Sequence, residues 1–146
     1  MHVEKVLKVG AEEFFEQISH SVEQDIYATT NKKVKVDQLK EGFTYEKNLN
    51  NKVGKSNRVT VEIVEIHSPS SYIAKFMSRD GTNTISYRIE ELGPQQIKVY
   101  YQEDFKGATK AKNLNAKIMQ LLYNFNSKKR TNKLLCNIET YIIDNR

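Results

Sequence analysis

The chain is poor in the residues from which many functions are built. It has one cysteine, Cys136, no tryptophan, three histidines, two prolines and six glycines. A single thiol excludes an internal disulfide and a thiolate zinc cluster, and the scattered histidines offer no metal-ligand spacing, so neither metal nor cofactor is expected. The six glycines form no phosphate-cradling loop. No apolar run approaches the ~20 residues a membrane span requires. The opening Met1-His2-Val3-Glu4-Lys5-Val6-Leu7-Lys8-Val9 alternates where a signal peptide would be continuously apolar, which reads as a cytoplasmic protein. Pro69 and Pro94 fall where turns are wanted, and no linker or repeat divides the chain.

What is present is a foldable pattern. With 146 residues, 38% of them hydrophobic, a single domain over residues 1–146 can bury roughly 70% of the unfolded surface. Val3, Leu7 and Val9 alternate with charged residues as a half-buried strand ending at Gly10. Phe14, Phe15, Ile18, Val22 and Ile26 then follow at three- and four-residue steps, as on an amphipathic helix, and Asp37 to Gly42 reads as a short second helix. From Phe43 to Phe105 alternation and recurring turn clusters predict five more strands, with a bulge near Ile63, where Val64 and Ile66 switch parity, and a hairpin at Asp80-Gly81. The remainder, from about Thr109 to Asp144, is helical. Ala111, Leu114, Ile118, Leu121, Leu122 and Phe125 form one stripe; Leu134, Leu135, Ile138, Tyr141 and Ile142 form another, rotated by roughly 150°. The weak helix formers of Asn124 to Asn132 lie between, predicting a long helix with a local irregularity, and the second stripe makes a homodimer through this helix a candidate.

Strand, helix, short helix, five-stranded meander and long final helix together resemble the helix-grip fold of the START-like or Bet v 1-like (SRPBCC) superfamily. This is an α+β fold in which a curved six-stranded antiparallel sheet wraps the C-terminal helix. Phe14-Phe15, the turn at Gly42, the strand Tyr87-Arg88-Ile89-Glu90-Glu91 and the lysine-rich final helix are similar to a small bacterial family of unknown function within it. The resemblance implies a pocket between sheet and helix, since similar proteins carry sterols, lipids and polyketides and a minority are cyclases or other enzymes. The inward residues would then be Tyr45, Ile63, Phe76, Tyr87 and Tyr101, facing Ile118, Leu122 and Phe125, and they are the expected ligand-binding set. Buried phenols need partners for their hydroxyls, which a ligand's polar head could supply.

Charge is unevenly placed. From Phe105 to Ile138 there is no Asp or Glu but eight basic residues, Lys128, Lys129, Arg130 and Lys133 among them. Such a segment attracts polyanions, or steers an anionic amphiphile into a cavity mouth. The preponderance of lysine over arginine and the missing aromatic stacking motif argue against nucleic acid. No catalytic set emerges: His20 and His67 are tied to no nucleophile, and the only acid/base candidates are Tyr87, Tyr101 and Glu65, the last because three-residue spacing sets it on the face opposite Glu62, and so inward, unless the bulge intervenes. The expected function is a non-enzymatic binder or carrier of a hydrophobic or amphipathic small molecule. The alternatives are an enzyme of the polyketide-cyclase-like type in the same cavity and an interaction module for a protein or polyanion on the basic helix.

Overall fold

The structure is a computed structural model that describes residues 1–50, 56–107 and 114–146, with side chains outside 49–57 and 108–126. Six strands form one antiparallel sheet: β1 (His2–Leu7), β2 (Thr44–Asn50), β3 (Ser56–His67), β4 (Ser71–Ser78), β5 (Gly81–Gly93) and β6 (Gln96–Gly107). Their order is β1-β6-β5-β4-β3-β2, so a meander runs from β2 to β6 and the first strand closes against the last. Helix α1 (Ala11–Thr30) follows β1, a short turn of 3-10 helix (Val36–Gln38) precedes β2, and α2 (Leu114–Asp144) ends the chain. This is the α+β order that the sequence pattern predicts.

Alternation decides which side of the sheet is covered. Val3, Leu7, Ile97, Val99, Ile89, Ala74, Val61 and Ile63 are buried on one face, while their sequence neighbours carry the charges. In β3 the pairing shifts between Ile63 and Glu65, so that Ile63 stands opposite Ala74 and Ile66 opposite Tyr72. The bulge thus sits where parity switches in the sequence, and it returns Ile66 to the covered face. At the β4–β5 hairpin, Gly81 has φ +149°, and a Cβ there would collide with the Lys106 carbonyl oxygen, so glycine is required.

Helix α1 buries Phe14, Phe15, Ile18, Val22 and Ile26, the stripe read from its spacing. At its start the Glu13 carboxylate accepts the Gly10 N–H at 2.9 Å, satisfying a donor the helix leaves free. At its end Asn31, in the left-handed region at φ 61°, donates its N–H to the Tyr27 carbonyl.

Helix α2 corrects one expectation. No irregularity interrupts it between Asn124 and Asn132; the helix is continuous from Leu114 to Asp144. The weak helix formers are explained by what they face: Ser127 and Thr131 are 3% and 7% exposed and continue at four-residue spacing into fully buried Leu135. Of the second stripe, Leu135 and Ile142 are buried and Ile138 is half-buried, whereas Leu134 and Tyr141 are exposed. The first stripe, Ala111 to Phe125, lies outside the described side chains. The C-terminal half of α2 is fastened to the start of the chain, because Glu139 Oε2 accepts the Lys8 N–H at 2.7 Å. Arg146 also donates to both oxygens of Glu13 at 3.2 and 3.3 Å. The Arg146 hydrogen bonds, then that of Gly10, hold the Glu13 carboxyl below its ordinary range.

The two leucines in sequence separate the faces of α2. Leu135→Ala should cost about 2–5 kcal/mol in urea unfolding, the usual range for a core leucine, while Leu134→Ala should stay within ~0.5 kcal/mol. Equal losses would contradict this packing.

Candidate functional site

The register assembles the covered face in rows. Tyr72, Tyr87 and Tyr101 stand side by side on β4, β5 and β6, with Val3 of β1 at one end and Ile66 of β3 at the other. The Tyr87 and Tyr101 rings meet edge to face at 5.0 Å, and Phe14 of α1 closes on Tyr87 at 6.2 Å. Two rows away run Tyr45, Val61, Phe76, Asn83 and Phe105, and between them lies the row Ile63, Ala74, Ile85 and Glu103. Two polar residues, Asn83 and Glu103, are therefore on the face that covers the core.

Over these rows a cavity of about 430 Å³ opens between α1, the sheet and α2. Its walls are Ile18 and Val22 of α1, Phe76 and Ile85 of the sheet, and Leu134 and Ile138 of α2. Set into this apolar lining are Tyr45, Tyr72, Tyr87 and the pair Asp25–Lys47. Asp25 Oδ2 accepts the Tyr45 hydroxyl at 2.5 Å and the Lys47 ammonium at 3.2 Å, tying α1 to β2. The Lys47 ammonium also lies over the Phe76 ring, 5.4 Å from its centroid. Removing either charge would leave the other half-buried and unpaired, which is costly even where the intact pair contributes little. The Tyr72 and Tyr87 hydroxyls have no hydrogen-bond partner among the described residues. A second hollow of about 250 Å³ shares Lys47, Phe76 and Ile85 with the first and reaches Ser78, Asn83 and Phe105.

The expected site residues fall out as follows. Tyr45, Phe76 and Tyr87 line the cavity. Ile63 is fully buried in the sheet, and Tyr101 stands beside Tyr87 with its hydroxyl on Glu103 Oε2 at 2.9 Å. Ile118, Leu122 and Phe125 lie outside the described side chains. Lys128, Lys129, Arg130 and Lys133 are exposed on α2, in the turns preceding Leu134 at the cavity wall. Glu65 requires a correction. The bulge carries it to the outer face, opposite Ile73, so that both it and Glu62 point away from the helices. There it borders a hollow of about 510 Å³ with Arg88, Glu90 and Tyr100. That hollow is larger than the cavity on the covered face, and among the described residues its lining comes from the strands alone.

Asp25, Lys47, Asn83 and Glu103 were missed by the reading of apolar alternation, which skips polar positions. The signal was available: Asn83 shares the parity of Ile85, Tyr87 and Ile89, and Glu103 that of Val99 and Tyr101.

Burial, and secondarily the Glu103 charge, pushes the Tyr87 hydroxyl up to about 12 from 10.0. Burial likewise raises Tyr45 and Tyr72. Below pH 10.0 folded and unfolded chains both keep the Tyr87 proton and its contribution to stability is complete. As pH rises from there through about 12, only the folded chain keeps it, and that contribution is lost. At about pH 11, Tyr87→Phe should therefore leave the native tyrosinate absorbance at 295 nm unchanged, yet remove one tyrosine's share in denaturant. An equal loss in both states would contradict the assigned burial.

With the geometry in view, comparison with known proteins shows what the chain is similar to. No curated protein matches it in sequence. Among solved structures, a protein from Thermus thermophilus is 11% identical with a TM-score of 0.64, covering 99% of this chain and 97% of its own. A START superfamily protein from Mycobacterium smegmatis is 10% identical with a TM-score of 0.62, covering 97% of both chains. The protein named Ara h 8.0201 is 12% identical with a TM-score of 0.62, covering 99% and 97%. At these identities the likeness is one of fold, and it is the helix-grip fold of the START-like and Bet v 1-like superfamily. Residues 1–124 match one family model, and the chain belongs to that family, DUF3284, a domain of unknown function.

Proposed function

We propose that the protein is a non-enzymatic binder or carrier of a hydrophobic or amphipathic small molecule, held in the cavity between the sheet and the two helices. The observation that carries this reading is the pairing of an apolar-walled space of about 430 Å³ with two unpartnered phenol hydroxyls, those of Tyr72 and Tyr87. The volume lies within the range of small-molecule pockets, roughly 300–1,000 Å³. Apolar contact with Val22, Phe76, Ile85 and Ile138 supplies affinity, and the phenols orient a polar head. The START-like fold supports the reading, since a pocket between sheet and helix is what the resemblance implies.

The exposed lysines extend it. Lys128, Lys129 and Lys133 form no ion pair with a carboxylate among the described residues, and they precede Leu134, which is 47% exposed at the cavity wall. A positive field there raises the local concentration of anionic amphiphiles. Exposed Leu134, Tyr141 and Ile143 on the same helix support a homodimer through α2 as a secondary reading. Against catalysis by the tyrosines stands the upward shift of Tyr87, which takes its hydroxyl far from the neutral range where a general acid or base works best.

The test uses a plug. Ser21 is exposed on α1 and borders the cavity, so Ser21→Trp fills the mouth without disturbing the core. The neutral fluorescent probe N-phenyl-1-naphthylamine should bind the wild-type protein and lose at least about tenfold in affinity, or ~1.4 kcal/mol, to Ser21→Trp, with the melting temperature preserved. Equal binding to both proteins would remove the carrier reading.

A further inference from the structure

The smaller hollow beside the proposed cavity is bordered by a residue with a polar atom that the protein itself leaves unmet. Asn83 stands on β5 between Phe76 and Phe105 in its row, an inward position where an apolar residue is the rule. Its Nδ2 donates to Glu103 Oε1 at 2.8 Å. Its Oδ1 is fully buried and without a hydrogen-bond partner. The orientation of the amide is fixed chemically, because an ionised carboxylate accepts and does not donate; turning Asn83 over would set oxygen against oxygen. The unmet atom is therefore an acceptor, and only an N–H or O–H donor can satisfy it.

Its surroundings extend the demand. Glu103 receives two neutral donors, Asn83 and the Tyr101 hydroxyl, and forms no ion pair among the described residues. Lys47, the ammonium that both hollows share, is already committed to Asp25 at 3.2 and 3.3 Å. Asn83 lines the smaller hollow, which adjoins the main cavity across the shared side chains of Lys47, Phe76 and Ile85. The apolar part of a guest fits the main cavity, and its end approaches a region that accepts hydrogen bonds, where the Met1 ammonium is already held by the Glu103 carbonyl oxygen at 2.8 Å.

We infer that the guest is an apolar chain or ring bearing a hydrogen-bond donor, an alcohol or a primary ammonium, whose donor end is read by Asn83 in the smaller hollow, with the Glu103 carboxylate behind the Asn83 amide. The inference rests on the carrier reading and narrows its ligand class. A carboxylate head of equal length would leave Asn83 Oδ1 unsatisfied and approach Glu103 as a like charge.

The test is displacement of N-phenyl-1-naphthylamine by dodecylamine, dodecanol and dodecanoate at neutral pH, below their micelle-forming concentrations. The amine and the alcohol should each displace the probe about tenfold more effectively than the carboxylate, the effect of one well-made hydrogen bond to a charged or buried partner. In Asn83→Leu the ratio of alcohol to carboxylate should fall toward one, and in Glu103→Gln the amine should lose its advantage over the alcohol. These ratios cancel any general change in the cavity, and circular dichroism checks that each variant is folded. Equal potency of the three heads, or a preference that survives Asn83→Leu, overturns the inference and leaves the carrier reading standing. Failure of the wild-type protein to bind the probe at all removes both.

Discussion

Six antiparallel strands in one sheet must hide one face, and the helices that hide it are fastened at the two edges of the sheet. In its described half α2 is held to the β1 edge by the Glu139 contact to the Lys8 backbone and to α1 by the Arg146–Glu13 pair. Helix α1 is held to the β2 edge by Asp25, which takes both the Tyr45 hydroxyl and the Lys47 ammonium. The middle strands β4 and β5 lie between these anchorages, and large side chains rise from them. Burial toward the β1 edge is complete, with Leu7, Val9, Phe14 and Leu135 at zero exposure. Over Tyr72, Phe76, Ile85 and Tyr87 it is not, and the cavity is the remainder.

That geometry sets the chemistry. Phenols on adjacent strands pack against one another at ring-centroid distances of 5.0 to 6.4 Å, yet each keeps a hydroxyl that apolar neighbours cannot satisfy. Tyr45 is answered by Asp25 and Tyr101 by Glu103. Tyr72 and Tyr87 are not answered among the described residues, and neither is Asn83 Oδ1. A buried polar group without a partner costs about 1–3 kcal/mol, so Asn83 Oδ1 is a local cost that a donor from a guest would remove.

The fold was largely legible in the sequence because it follows from periodicity. The alternation of Ile85, Tyr87 and Ile89, the parity switch at Val64 and Ile66, and the stripe from Phe14 to Ile26 each report a local repeat that packing enforces. The misreadings share a cause. Weak helix formers from Asn124 to Asn132 resemble a break, but Ser127 and Thr131 are inward residues of an unbroken helix, and tertiary burial overrides propensity. Glu65 can be placed only by counting the bulge residue, and one residue more or less reverses its face. The site was legible in part. Its aromatic members follow from alternation, whereas Asp25 and Lys47 come together across 22 residues and Asn83 and Glu103 across 20, distances over which one sequence carries no signal.

The account stands or falls on where a guest goes. Tyrosine ring signals, labelled with carbon-13 at the ε positions and followed by NMR during titration with dodecanol, report on both faces of the sheet at once. The tyrosines of the covered face, Tyr72 and Tyr87, should shift and saturate together, while Tyr100, hydrogen-bonded to Glu90 on the outer face, should stay fixed. Movement of Tyr100 with Tyr72 and Tyr87 unchanged would place the guest outside the helix layer and contradict the account.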